Sequence, residues 1–237
     1  MSGPFGAITA PSSAMTGPMR LYLDTADASE LERVLPSPLV HGVTTNPTLM
    51  RRAGLSWADL PHFVERAEAL GARSVHVQVR HREATEMVRD AREYLGLAAK
   101  ATIVVKLPAT GEGLSAAATL AQEGVSVTMT AVYEPEQALW AALVGARYAA
   151  PYLGRLQDAG RDALAVIARM QQVLEVYGRR DGTDLRLLVA SVRSREAFRD
   201  LLALGVGAVT VPVKLFDELT ATDETLAAEE AFLADAR

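Results

Sequence analysis

Only three of the 24 basic residues are lysines: Lys100, Lys106 and Lys214. Lys106 stands inside an apolar run, residues 102–108 (TIVVKLP). Burying an ammonium group among valines is costly, so such a lysine must find a carboxylate or give up its proton. A neutral lysine is a nucleophile toward carbonyl carbon and forms Schiff bases. The other reading is structural: a lysine that pairs with an acid such as Asp24 and plugs the mouth of the fold. Lys214 lies at a helix start and is the weaker candidate. Lys100 falls in a loop, where lysines are solvated.

Other polar groups recur in the same kind of place, at the ends of short apolar runs. They are Asp24, the Thr44-Thr45-Asn46 triplet, Gln78, Thr128 with Thr130, Tyr152 followed by Arg155, and Ser191 followed by Arg193. Together they can bond a polyhydroxylated or phosphorylated ligand. An arginine adds charge-assisted, bidentate contact to phosphate. With 21 arginines in the chain, Arg155 or Arg193 alone reads equally well as a solvated surface residue. Asp24 also reads as the cap of the helix that follows it. His76 shares a strand face with Gln78 and is read as a core residue. His41, His62 and His81 have no ligand spacing with one another, so no metal site is expected.

A strand–helix rhythm must position these groups. Eight runs rich in Val, Ile and Leu read as strands: 20–24, 39–43, 74–79, 102–108, 125–130, 147–152, 185–191 and 208–212. Helical patterns lie between them at 27–36, 57–71, 82–99, 112–123, 134–144, 160–178 and 194–204. Two more, 213–219 and 223–235, close the chain. Ser56 and Ser194 stand as N-caps, and Gly71, Gly124, Gly178 and Gly205 as helix stops. Eight units after Met19 predict an α/β fold: a single-domain (β/α)8 TIM barrel spanning 19–237, with extra C-terminal helices. The alternative, an open doubly wound sheet, fits less well because the first strand carries no GxGxxG loop. In such a barrel chemistry sits at the C-terminal ends of the strands. Seven of the eight ends are polar. The eighth, Val211-Pro212, reads as apolar.

Composition removes several classes. At 237 residues and 49% hydrophobic the chain is long enough for a large core. A formal charge of −5 argues against nucleic-acid and anionic-membrane partners. There is no cysteine, hence no disulfide, thiolate ligand or thiol nucleophile. Residues 1–18 are uncharged and rich in Gly, Pro, Ser and Ala, and read as a flexible tail without a signal peptide. The cytoplasm is the expected location. The last helix carries few apolar residues, Leu226, Phe232 and Leu233 among them, and is expected to pack across a subunit boundary.

These segments resemble the transaldolase family, in particular its fructose-6-phosphate aldolase-like branch. The resemblance rests on LYLDT (21–25), GVTTNP (42–47), VKLPAT (105–110), TAVY (130–133), APY (150–152) with Gly154-Arg155, and Ala190-Ser191. It covers residues 19–237 in order. It implies class I aldolase chemistry without a cofactor, on small phosphorylated sugars. It makes Lys106 the Schiff-base lysine and puts Asp24, Thr45 and Asn46 on the donor side. Arg155, Ser191 and Arg193 would hold the acceptor phosphate. It further implies a homo-oligomer, a pentamer or decamer.

Within that family transaldolases carry a glutamate on the third strand and commonly a phenylalanine after the sixth. The aldolase branch carries glutamine and tyrosine. Gln78 and Tyr152, with Thr130 as the third group around a catalytic water, favour an aldolase that makes or cleaves fructose 6-phosphate. A tyrosine hydroxyl there can protonate the enamine, and a phenylalanine cannot. The wording after Tyr152 and the Ser191-Val-Arg193 segment are closer to the transaldolase branch. Transfer of a dihydroxyacetone unit between sugar phosphates, in the pentose phosphate pathway, is therefore the alternative. A second alternative is a barrel that binds phosphosugars without catalysis.

Overall fold

A computed structural model of the chain describes residues 18–177 and 185–236. Residues 1–17 of the expected tail, and Gly178, lie outside the described residues. Pro18 is tied down, its carbonyl accepting a hydrogen bond from Arg186 Nη1 at 3.2 Å.

Eight parallel strands close into a ring in sequence order. They are β1 Arg20–Asp24, β2 Val40–Thr44, β3 Ser74–Gln78, β4 Thr102–Pro108, β5 Val127–Val132, β6 Tyr148–Pro151, β7 Arg186–Val189 and β8 Ala208–Val211. The helices are α1 Ala28–Val34, α2 Pro47–Arg52, α3 Leu60–Ala69, α4 Ala84–Leu95, α5 Gly111–Gln122, α6 Pro135–Leu143, α7 Leu153–Asp158, α8 Ala163–Tyr177, α9 Arg195–Ala203, α10 Val213–Thr220 and α11 Asp223–Asp235. This is the single-domain (β/α)8 barrel.

The period-2 alternation of the strands decides what goes where. Outward residues such as Leu23, Val105, Leu107 and Val209 pack under the helices in the main core. Inward residues Tyr22, Val104, Tyr148, Leu188 and Ala208 fill the barrel itself. The Tyr22 and Tyr148 hydroxyls meet at 2.9 Å, and the Tyr22 ring abuts His76 edge-on with centroids 4.8 Å apart. His76 is fully buried, and Nδ1 bonds Thr128 Oγ1 at 3.0 Å. Burial, then the charge of Lys106, pushes its pKa well down, so a neutral imidazole floors the site.

Gly71, Gly124 and Gly205 stop their helices with φ of 99°, 76° and 70°, which a side chain rarely adopts. Two helices were not expected, α2 and α7. Each has six residues, too short for a hydrophobic period, and each begins directly at a strand end. Strand β8 is a further correction. Thr210 lies between Val209 and Val211 and therefore points inward, so the eighth strand end is polar after all. Beyond β3, the loop is clamped by Asp90. This fully buried carboxylate accepts from Arg80 N at 2.7 Å, Arg80 Nη2 at 2.7 Å and His81 Nδ1 at 2.9 Å.

No helix among the described residues is long and apolar enough to cross a membrane. Helix α11 buries none of its residues, and Leu226, Phe232 and Leu233 are exposed.

Candidate active site

The C-terminal ends of the strands enclose a cavity of about 540 Å3. Asp24, Asn46, Gln78, Lys106, Thr130, Tyr152, Arg155, Ser191 and Arg193 all line it. Thr45 does not. It is wholly buried behind the wall, and its hydroxyl has no hydrogen-bond partner. Its carbonyl instead accepts from Lys106 Nζ at 2.6 Å. Thr45 thus aims the lysine rather than facing a ligand.

Lys106 is 5% exposed and makes no ion pair among the described residues. Burial pulls its pKa below the ordinary lysine range, and the charge of Asp24 opposes this. Asp24 is the mirror case. Burial raises its pKa, while Lys106 and the Thr44 hydroxyl pull it back. The structural reading of Lys106 as a plug ion-paired to Asp24 is therefore not what the fold builds. Nor is Asp24 the cap of α1. Asp27 takes that part, accepting from the amides of Ser29 at 2.9 Å and Glu30 at 3.0 Å. Asp24 is left to face the cavity, oriented by a short relay. Thr44 Oγ1 donates to Asp24 Oδ1 at 2.8 Å and lies 2.7 Å from Thr210 Oγ1.

Asn46 caps α2 through Oδ1, which accepts from Thr48 N and Leu49 N at 3.0 Å each. Pro47 at the first helical position pre-sets the turn. The Asn46 side-chain NH2 then remains to donate into the cavity. Across from it, Tyr152 Oη lies 2.8 Å from Thr130 Oγ1. Burial raises the Tyr152 pKa, and the Thr130 bond and Arg155 charge lower it less, so the phenol keeps its proton. Gln78 lies in register with Lys106 and lines the same cavity, its amide unbonded among the described residues.

The backbone is bent to make this possible. The register of β5 slips between Thr130 and Val132, with Ala131 at φ 57°; Ser191 sits at φ 60°. A non-glycine residue held there costs ~1–3 kcal/mol, strain that folds concentrate at functional sites. Gly154 allows α7 to meet β7 closely. Its amide bonds the Ser191 carbonyl at 3.0 Å, and a Cβ would come within 2.6 Å of both that oxygen and Arg193 Nε. Gly154→Ala is expected to lose ~1–3 kcal/mol of stability by overpacking. It should also raise KM for phosphorylated substrates more than it lowers kcat, because Arg155 and Arg193 flank it. Thermal unfolding and steady-state kinetics check both.

Arg193 is held bidentate by Asp158 at 2.6 and 2.7 Å, and the Arg155 guanidinium lies 5.3 Å over the Tyr152 ring. Sequence reasoning missed four polar lining residues: Thr48, Arg52, Tyr133 and Thr210. The Asn46-Pro47 pair was the readable signal for the first two, since an N-cap followed by proline announces a helix.

A barrel that buries a lysine of lowered pKa beneath a polar mouth, with an acid and a phenol lining the same cavity, is built for carbonyl chemistry through lysine. The molecule is an enzyme of the class I aldolase and transaldolase type. The sequence matches the Transaldolase/Fructose-6-phosphate aldolase family over residues 21–237, and the chain belongs to that family. It is 34% identical over 217 residues to a "Probable transaldolase" of Anaeromyxobacter dehalogenans (strain 2CP-C), covering 92% of this chain and 96% of that one. A "Probable transaldolase" of Methanococcus maripaludis (strain C7 / ATCC BAA-1331) is 35% identical over 217 residues, with 92% and 97% covered. Among solved structures, the YdjI aldolase from Escherichia coli K12 superposes with a TM-score of 0.56 over 84% of this chain and 77% of that one. At 13% identity that likeness concerns the fold alone.

Proposed function

We propose that the protein is a Schiff-base aldolase that cleaves fructose 6-phosphate to dihydroxyacetone and glyceraldehyde 3-phosphate, and runs the reverse. The observation that carries this is the Tyr152 hydroxyl, 2.8 Å from Thr130 Oγ1, its pKa raised by burial. Neutral Lys106 adds to the ketose carbonyl carbon, and water leaves to give an iminium. The C4 hydroxyl loses its proton to Asp24 or to a water bound by Gln78, Thr130 and Tyr152. The C3–C4 electron pair then moves into the iminium, and the aldehyde phosphate departs. Tyr152, through that water, delivers a proton to C3 of the enamine, and the proton taken from the C4 hydroxyl passes back through the same water to restore the phenol. Hydrolysis frees dihydroxyacetone and regenerates the lysine. Asn46 orients the donor hydroxyls, and Arg155, Ser191 and Arg193 take the acceptor phosphate.

The second reading is transfer: the enamine attacks another aldehyde, and no free dihydroxyacetone appears. The relatives named as transaldolases favour it. Incubation with fructose 6-phosphate, with and without erythrose 4-phosphate, separates the two. Aldolase activity releases glyceraldehyde 3-phosphate without any acceptor. If release occurs only when the acceptor is present, the transaldolase reading replaces it.

The exposed Leu226, Phe232 and Leu233 of α11 support packing against a second copy in a homo-oligomer.

A further inference from the structure

Helix α2 carries a cation into the cavity that the mechanism above does not use. Thr48 and Arg52 are four residues apart, hence on one face of the helix, and both line the cavity. Arg51, the neighbouring cation, does not. Arg52 is exposed at the cavity and makes no hydrogen bond or ion pair among the described residues, so its guanidinium is available to a ligand. It differs in this from Arg193, whose charge is already met by Asp158. In an eight-strand ring α2, after β2, stands opposite α7, after β6, where Arg155 projects. Besides Lys106, the lining holds three arginines, Arg52, Arg155 and Arg193, against one carboxylate, Asp24.

We infer that Arg52 is a substrate-binding residue that engages the phosphate of the sugar from the β2 wall, opposite Arg155. A ketose held by its carbonyl carbon at Lys106, low in the cavity, extends its phosphate toward a mouth flanked by these two guanidinium groups. A phosphate dianion accepts charge-assisted bonds from such groups, and a flexible arginine reaches it without being pre-paired. Arg52 therefore selects phosphorylated over unphosphorylated substrates. The inference rests on the aldolase or transaldolase reading, and deepens it without depending on which of the two holds.

The test compares Arg52→Ala, Arg52→Lys and Arg51→Ala. For Arg52→Ala the expected result is a KM for fructose 6-phosphate raised roughly five- to tenfold, the scale of one lost charge-assisted contact. Its kcat should stay near wild type, and its KM for unphosphorylated fructose should not move. Arg52→Lys should recover part of the loss, and Arg51→Ala should match wild type. Equal effects on both sugars, an equal effect of Arg51→Ala, or no effect of Arg52→Ala would overturn it. Should wild-type protein turn over neither sugar even with erythrose 4-phosphate present, the functional reading fails separately. Titration with inorganic phosphate then decides: weaker binding in Arg52→Ala than in wild type and Arg51→Ala upholds the inference, and equal binding overturns it.

Discussion

A Lys106→Met variant is expected to lose turnover by on the order of 10⁴-fold or more while becoming more stable than wild type. The loss follows because no other lysine lines the cavity. Arginine or methionine cannot form the imine, and removing the covalent step returns a barrier of more than ~5 kcal/mol. The gain follows from burial. Lys106 points inward beside Val104, is 5% exposed and lacks an ion pair among the described residues. Methionine is of similar length and carries no charge to desolvate, so stability should rise by ~1–3 kcal/mol. The pH dependence has a definite sign. The folded-state pKa of Lys106 lies below its unfolded value. At pH below the folded value both states hold the proton, and the burial penalty is complete. As pH rises from the folded to the unfolded value the native state sheds its proton first, so wild-type stability climbs. The advantage of Lys106→Met should therefore be greatest at low pH and shrink toward the ordinary lysine pKa. Denaturant unfolding at several pH values measures it. A destabilised Lys106→Met protein would mean that the fold relies on this ammonium group.

The second large effect belongs to Tyr152→Phe. General acid catalysis contributes ~10²–10⁴-fold. Removing the hydroxyl should cut acceptor-independent cleavage of fructose 6-phosphate by about 100-fold or more. Imine formation at Lys106 needs no phenol and should persist. So should transfer to erythrose 4-phosphate, within about tenfold, because the waiting enamine then has a carbon electrophile in place of a proton. The wild-type pH profile should carry the same signature. Its acid limb reflects Lys106, whose pKa is lowered by burial, and its alkaline limb Tyr152, whose pKa burial raises. In Tyr152→Phe the alkaline limb should disappear. Parallel loss of cleavage and transfer would assign Tyr152 to binding or structure instead.

The barrel and its buried, cavity-lining lysine were legible in the sequence for the same reason. Strands buried on both faces read as continuous Val, Ile and Leu runs, and a lysine inside one is conspicuous. What stayed hidden lacked such contrast. Thr210 is a strand-forming residue between two valines, and only the register of β8 turns it inward. Helices α2 and α7 are too short to show a period, and with α2 went Thr48 and Arg52. Arg52 is also one arginine among 21. Asp24 and Asp27 both precede α1, and local sequence cannot choose the cap. The choice is tertiary: the Thr44 and Thr210 hydroxyls draw Asp24 toward the cavity. Thr45 was expected among the donor-side residues on the strength of its motif, yet its carbonyl, a group every residue carries, is what meets Lys106.

Borohydride reduction in the presence of fructose 6-phosphate or dihydroxyacetone, followed by peptide mass mapping, tests the central claim most directly. The account predicts one stable three-carbon adduct, on Lys106, absent from Lys106→Met. No adduct, or one on Lys100 or Lys214 instead, would contradict it.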